Sequence, residues 1–99
     1  MLAHVVFFSL REPTPTAALA LVASCRHHLA GHPGEVSFFA GTRADYDREV
    51  NDRDFDVALV IVFASRADHD AYQTAERHRA FIAENAPLWA RVRVFDADG

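Results

Sequence analysis

Hydrophobic residues fall at both parities over residues 2–10: Leu2, Val6, Phe8 and Leu10 project one way, Ala3, Val5 and Phe7 the other. A strand that is apolar on both sides needs cover on both faces. Thr14-Pro15 then supplies an N-cap and a proline suited to the first helical position, and Ala18, Leu21, Val22, Cys25 and Leu29 recur at helical period. Gly31 and the His32-Pro33-Gly34 turn stop that helix. Residues 36–40 predict a second strand with Phe38 and Phe39 on opposite faces, whereas residues 42–54 carry charge without period and predict a solvated loop able to cover a pocket. The clearest strand is 55–63, with Phe55, Val57, Leu59, Ile61 and Phe63 on one face and Ala58, Val60 and Val62 on the other. Ser65 and Asp68 form the acidic variant of a capping box and open a helix carrying Tyr72. A second helical stretch carries His78, Phe81 and Ile82 and stops before Pro87. Residues 89–95 alternate once more, with Arg91 and Arg93 outward, and predict a fourth strand.

The resulting order, β-α-β-β-α-β, is that of a ferredoxin-like α+β domain with one four-stranded antiparallel sheet, occupying residues 1–99 as a single unit. Two helices cover one face of such a sheet. The other face, also apolar here, needs a second sheet, and a second copy of the chain supplies one by two-fold symmetry. The pattern therefore predicts a homodimer in which two sheets pack into a dimeric α+β barrel.

Composition narrows the function classes. The chain has 99 residues, 51% hydrophobic and 24% charged, with a formal net charge of -4. No basic stripe is present, which argues against nucleic acid and against an anionic membrane surface as partners. No run approaches the roughly 20 apolar residues of a membrane span, and the first apolar stretch, interrupted by His4 and lacking a basic leader, reads as a strand rather than a signal peptide. A lone cysteine, Cys25, cannot form an internal disulfide, which suits a reducing cytoplasm. All ten basic residues are arginine, so Schiff-base catalysis by lysine is excluded.

Candidate chemistry rests on three polar rings. His4 lies within an otherwise apolar strand, where burial without a partner is costly, so a cavity suits it. Tyr72 and His78 follow ahead of Phe81. A neutral histidine can take a proton from a carbon between two carbonyls, and a tyrosine hydroxyl can donate to the oxygen that gains charge. On one straight helix, Tyr72 and His78 would point about 120° apart at 100° per residue. They converge only if the helix breaks between Thr74 and Arg77. Opposed to this stand a Tyr72 hydroxyl at the surface, a His78 bonded to backbone and a His4 bonded to a polar core neighbour. His27, His28, His32 and His69 read as solvated, Cys25 as core, and no metal-ligand motif stands out because Gly31 interrupts the spacing of His28 and His32.

His4-Val-Val-Phe-Phe, the strand ending at Phe63 with its Ser65 cap, then Tyr72, His78 and Phe81, and finally Trp89 with a Val-Phe95-Asp finish together resemble the stress-responsive A/B barrel (Dabb) family over nearly the whole chain. That resemblance implies a dimeric α+β barrel. A plant polyketide cyclase of the family closes a linear tetraketide by aldol condensation without a cofactor. The resemblance places His78 and Tyr72 on that enzyme's catalytic pair, His4 on a pocket histidine, and Phe81 and Trp89 on pocket walls. Val57 stands where the cyclase has a strand histidine, and Ala75-Glu-Arg-His78 replaces a motif that often reads His-Pro-Ala-His. The implied function is cofactor-free acid–base chemistry on a hydrophobic, carbonyl-rich small molecule, with His78, Tyr72 and His4 catalytic and Phe81, Trp89, Val57 and Phe63 binding substrate. A non-catalytic ligand-binding barrel and a cofactor-free oxygenase remain the alternatives.

Overall fold

Alternation on the first strand organises the molecule. In a computed structural model describing residues 1–99, β1 (Leu2–Leu10) lies inside an antiparallel sheet with β2 (Glu35–Thr42), β3 (Val57–Phe63) and β4 (Trp89–Asp98), in the order β2-β3-β1-β4. Leu2, His4, Val6, Phe8 and Leu10 are buried, while the residues between them are only partly covered. Helices α1 (Pro15–Leu29), α2 (Arg66–Thr74) and α3 (Glu76–Asn85), followed by a 3-10 turn (Ala86–Leu88), all pack on the buried side. The ferredoxin-like order expected from the sequence is the order observed.

The core joins the two layers. Leu21, Val22, Cys25 and Leu29 of α1 meet Leu59, Ile61 and Phe63 of β3, with Tyr72 and Phe81 from α2 and α3. The Thr14 hydroxyl accepts the Ala17 N–H at 3.1 Å, fixing the start of α1, and Ser65 does the same for α2 through the Asp68 N–H. Gly34, at φ +84°, lies against the Asp68 side chain, where any Cβ would collide at 2.2 Å. Only glycine lets the turn after α1 seat against the start of α2.

The helix carrying Tyr72 and His78 does break, at Ala75, whose ψ of 146° is extended rather than helical. No proline forces it. Instead the Arg77 guanidinium donates to the carbonyls of His27 and Ala30 at 2.7 and 3.0 Å, tying the first turn of α3 to the end of α1. These carbonyls lack helical partners, so the arginine both satisfies them and redirects the chain.

Three strands differ in their bounds from the sequence reading. β3 starts at Val57, because the Asp56 carboxylate accepts the Leu10 N–H and ends the pairing with β1. Phe55 therefore leaves the face of Val57 and packs edge-on against Phe7, on the opposite side of the sheet. β2 runs two residues beyond Ala40, to Thr42, paired with Val57. β4 continues past Phe95 to Asp98, along the full length of β1. The charged loop also lies elsewhere than over a pocket: Asp52 and Asp54 meet Arg93 and Arg91, which project from the face that carries no helix.

That second face is largely apolar. Val5 and Phe7 of β1, Val60 and Val62 of β3, Phe39 of β2 and Phe95 of β4 share it by register. Phe39 and Phe95 remain more than half exposed in the single chain.

Candidate active site

The additional length of β4 creates the site. Register sets Asp96 directly opposite His4 on the helix-covered face, and the two side chains meet, His4 Nδ1 to Asp96 Oδ1, at 2.6 Å. The Ser65 cap sets the phase of α2 so that His69, one turn in, points down onto the same pair. Its Nε2 lies 3.1 Å from His4 Nδ1, and Gln73, one turn further, donates its amide N–H to that Nε2 at 2.9 Å. The bonds fix the tautomers. His69 Nε2 accepts from Gln73, so its proton resides on Nδ1. His4 Nδ1 carries the proton that Asp96 accepts, leaving the His4 Nε2 lone pair free.

A cleft of about 250 Å³ adjoins this cluster, walled by His4, Val6, Phe8, His78, Phe81 and Trp89, with Val92 and Val94 of β4 along its outer side. It exists because the helices leave the β4 edge of the sheet incompletely covered: Val92 and Val94 face the helical layer yet are 38% and 50% exposed. Phe8, Phe81 and Trp89 pack ring against ring at 5.0–6.1 Å and make its closed end. The Trp89 Nε1–H is buried there without a partner.

Electrostatics favour neutral rings. Burial holds the His78 imidazole below the ordinary histidine value of 6.5, reinforced by the neighbouring histidines. Burial likewise lowers His4, and outweighs the Asp96 carboxylate, which acts in the opposite direction. Both are therefore unprotonated near neutral pH and able to accept a proton. Burial raises the Tyr72 hydroxyl well above its usual range, so it remains a protonated donor. The Cys25 thiol is pushed up to about 12 in the core, which makes it inert as a nucleophile.

The break at Ala75 brings the Tyr72 and His78 rings to 4.8 Å, edge to face, and Tyr72 also lies 5.8 Å from His4. The three rings expected from the sequence are thus neighbours. His4 and His78 line the cleft with Phe81 and Trp89, whereas Tyr72 stands behind them, buried among Phe63, His32 and His69. Val57 and Phe63 are fully buried in the core and do not reach the cleft, where Leu59 is the β3 residue present.

Two expectations for histidine are corrected. His69 is buried rather than solvated, because its place one turn after the Ser65 cap aims it into the sheet. His32 is buried as well, its Nε2–H donating to the His28 carbonyl and its ring meeting Tyr72. Sequence reasoning passed over Asp96 and Gln73. Both had a signal: Asp96 follows from carrying the alternation of β4 one residue further, and Gln73 shares a helix face with His69 at a spacing of four.

Comparison with known proteins agrees with this architecture. Solved structures similar to this chain include a dimeric ferredoxin-like protein of unknown function from Thermobifida fusca, 21% identical with a TM-score of 0.79, covering 99% of this chain and 90% of that one. A Dabb family protein with a ferredoxin-like fold from Mesorhizobium loti is 16% identical with a TM-score of 0.80, over 99% and 95% of the two chains. Hydroxynitrile lyase from Passiflora edulis is 21% identical with a TM-score of 0.75, over 97% and 90%. No functionally curated protein matches the sequence. Residues 2–98, which include all four strands and the polar cluster, match the stress responsive A/B barrel domain, and the chain belongs to that family.

Proposed function

We propose that this protein is an acid–base catalyst that makes or breaks a carbon–carbon bond at a carbonyl carbon of a small hydrophobic compound, most concretely by an aldol-type cyclisation of a carbonyl-rich substrate such as a polyketide. The observation that carries the reading is the pair of desolvated imidazoles, His4 and His78, on the wall of one apolar cleft with a protonated phenol behind them. In the forward direction His78 removes a proton from the carbon between two carbonyls. The enolate attacks a second carbonyl of the same molecule, and the alkoxide formed recovers a proton from the conjugate acid. Tyr72, held protonated behind the two imidazoles, supports the His78 ring edge to face from outside the cleft, and His4, with Asp96 on its other nitrogen, assists as a second proton acceptor. Apolar walls supply proximity by folding the chain of the substrate on itself.

The similar hydroxynitrile lyase supports the class, since any cyanohydrin cleavage also moves a proton and breaks a carbon–carbon bond at a carbonyl carbon. The cleft's volume, below the roughly 300 Å³ at which drug-sized sites begin, suits a small ligand. The protein works as a homodimer, its apolar sheet face covered by a second copy; solved structures of the same fold that are described as dimeric support the association. A single buried cysteine fits a reducing compartment such as the cytoplasm.

Deuterium incorporation at the central carbon of benzoylacetone tests the chemistry. The wild-type protein is expected to exceed the buffer rate, and His78→Ala, still folded and dimeric, to lose about 100-fold or more of that excess, the usual worth of a positioned base. Equal rates for the two proteins would refute the assignment.

A further inference from the structure

The His4–His69–Asp96 cluster has a property that acid–base chemistry does not use. Three potential ligand atoms, His4 Nδ1, His69 Nε2 and Asp96 Oδ1, all point at one another, with separations of 2.6, 3.1 and 3.9 Å. A triangle with those sides has a centre about 2 Å from every corner, the length of a bond from a first-row transition ion to imidazole nitrogen or carboxylate oxygen. In the metal-free protein the same convergence is held together by one shared proton on His4 Nδ1, which Asp96 and His69 both approach.

We propose that His4, His69 and Asp96 form a binding site for a divalent first-row transition metal ion. Two imidazoles and one carboxylate suit zinc, iron or nickel better than magnesium or calcium, which prefer oxygen. The carboxylate offsets half of the ion's charge, and the two histidines are buried within the fold. The surroundings orient the ligands as metal sites require. The Gln73 N–H donated to His69 Nε2 keeps that nitrogen unprotonated, so an ion bound there takes the place of the Gln73 hydrogen bond, with the Asp70 carboxylate 4.0 Å from Nδ1 on the far side of the ring. β1–β4 pairing holds His4 and Asp96 in fixed register, and the Ser65 cap fixes the phase of α2.

Only three protein ligands converge, so the ion retains open positions, the mark of a reactive rather than a closed structural site. Gln73, bonded to His69 and lining the cleft, stands between the cluster and the ligand space. Open positions on that side would accept a carbonyl or hydroxyl oxygen of a cleft ligand. Occupancy has a further consequence for His4: its Nδ1 proton must move to Nε2, turning the nitrogen that faces the cleft from an acceptor into a donor. The metal-loaded and metal-free forms thus present different chemistry to the same cleft, while His78 remains a base in both. This inference does not rest on the reaction proposed above but shares His4 with it: with the ion bound, His4 no longer accepts a proton and His78 is the remaining base.

Isothermal titration of the whole protein with Zn²⁺ at pH 7.5, together with the visible spectrum of Co²⁺, tests it. One ion per chain is expected, with cobalt bands of an N,O-ligated site. His69→Gln and Asp96→Asn should each weaken binding at least about tenfold, and His27→Gln, at an exposed histidine, should leave it unchanged. Should His69→Gln fail to fold by circular dichroism, Asp96→Asn, a near-isosteric change at a half-exposed side chain, decides the question alone. Absence of binding at 100-fold molar excess of Zn²⁺, or equal affinity in wild type, His69→Gln and Asp96→Asn, would overturn the proposal.

Discussion

The two faces of one sheet carry opposite chemistry although they are built from the same strands. On the helix-covered side, β1 contributes His4 between Leu2 and Val6, and the polar ring is supported by Asp96, His69 and Gln73. On the other side β1 contributes Ala3, Val5 and Phe7, and the polar groups lie toward its margins: Ser9 and Ser37, and Arg91 and Arg93, which pair with Asp54 and Asp52. A two-residue period keeps these programmes separate, because a polar side chain at an even position of β1 never reaches the odd face. Chemistry is thereby confined to the side where helices can position and desolvate it, and the side left apolar is free for association.

The largest effect is expected from violating the apolar face. Val60→Asp places a charge in the centre of the surface proposed to pair with a second copy, and sedimentation should then report monomers, while the His4–Asp96 contact on the opposite side survives. A variant that remains dimeric would show that association uses another surface. Next, Phe81→Ala removes a fully buried ring that belongs both to the core and to the closed end of the cleft. Urea denaturation should show a loss of about 3–5 kcal/mol, the usual range for deleting a buried aromatic side chain. The smallest effect is the pH dependence of stability. Burial lowers His4 and His78 in the folded chain, so below 6.5 the unfolded chain binds protons that the folded one does not. Their contribution is fully present above 6.5 and declines as the pH falls below it toward the folded values. Urea midpoints measured between pH 7.5 and 5 should fall, and less steeply in His78→Gln.

Much of this division was legible in the sequence. Alternation over residues 2–10 and 55–63 identifies the strands and both of their faces, two residues early at the start of β3, and Thr14-Pro15 and Ser65 mark two helix starts through capping chemistry that is local in sequence. The break before His78 was also legible as a geometric requirement, although its cause was not: Arg77 binds carbonyls 47 and 50 residues away. The same limit explains the reading of His69 as solvated. Nothing near it in the chain shows that α2 descends onto β1, and the partner that holds it, His4, is 65 residues distant. Asp96 was missed because an acidic residue after Phe95 resembles the end of a strand, whereas tertiary pairing with His4 carries the strand on. Val57 and Phe63, expected at the ligand, lie in the core because β3 is central and covered by helices, and the cleft opens toward the β1–β4 side and reaches β3 at Leu59.

The central claim is that His4 and His78 are neutral, cleft-facing bases. Titration of the histidine ring carbon-bound protons by NMR, with and without benzoylacetone, tests it most directly. Both residues should titrate below 6.5, and their ring signals should shift on addition of the diketone while those of His27, exposed on α1, do not. Titration of both rings at or above 6.5, or a diketone response absent from both, would contradict it.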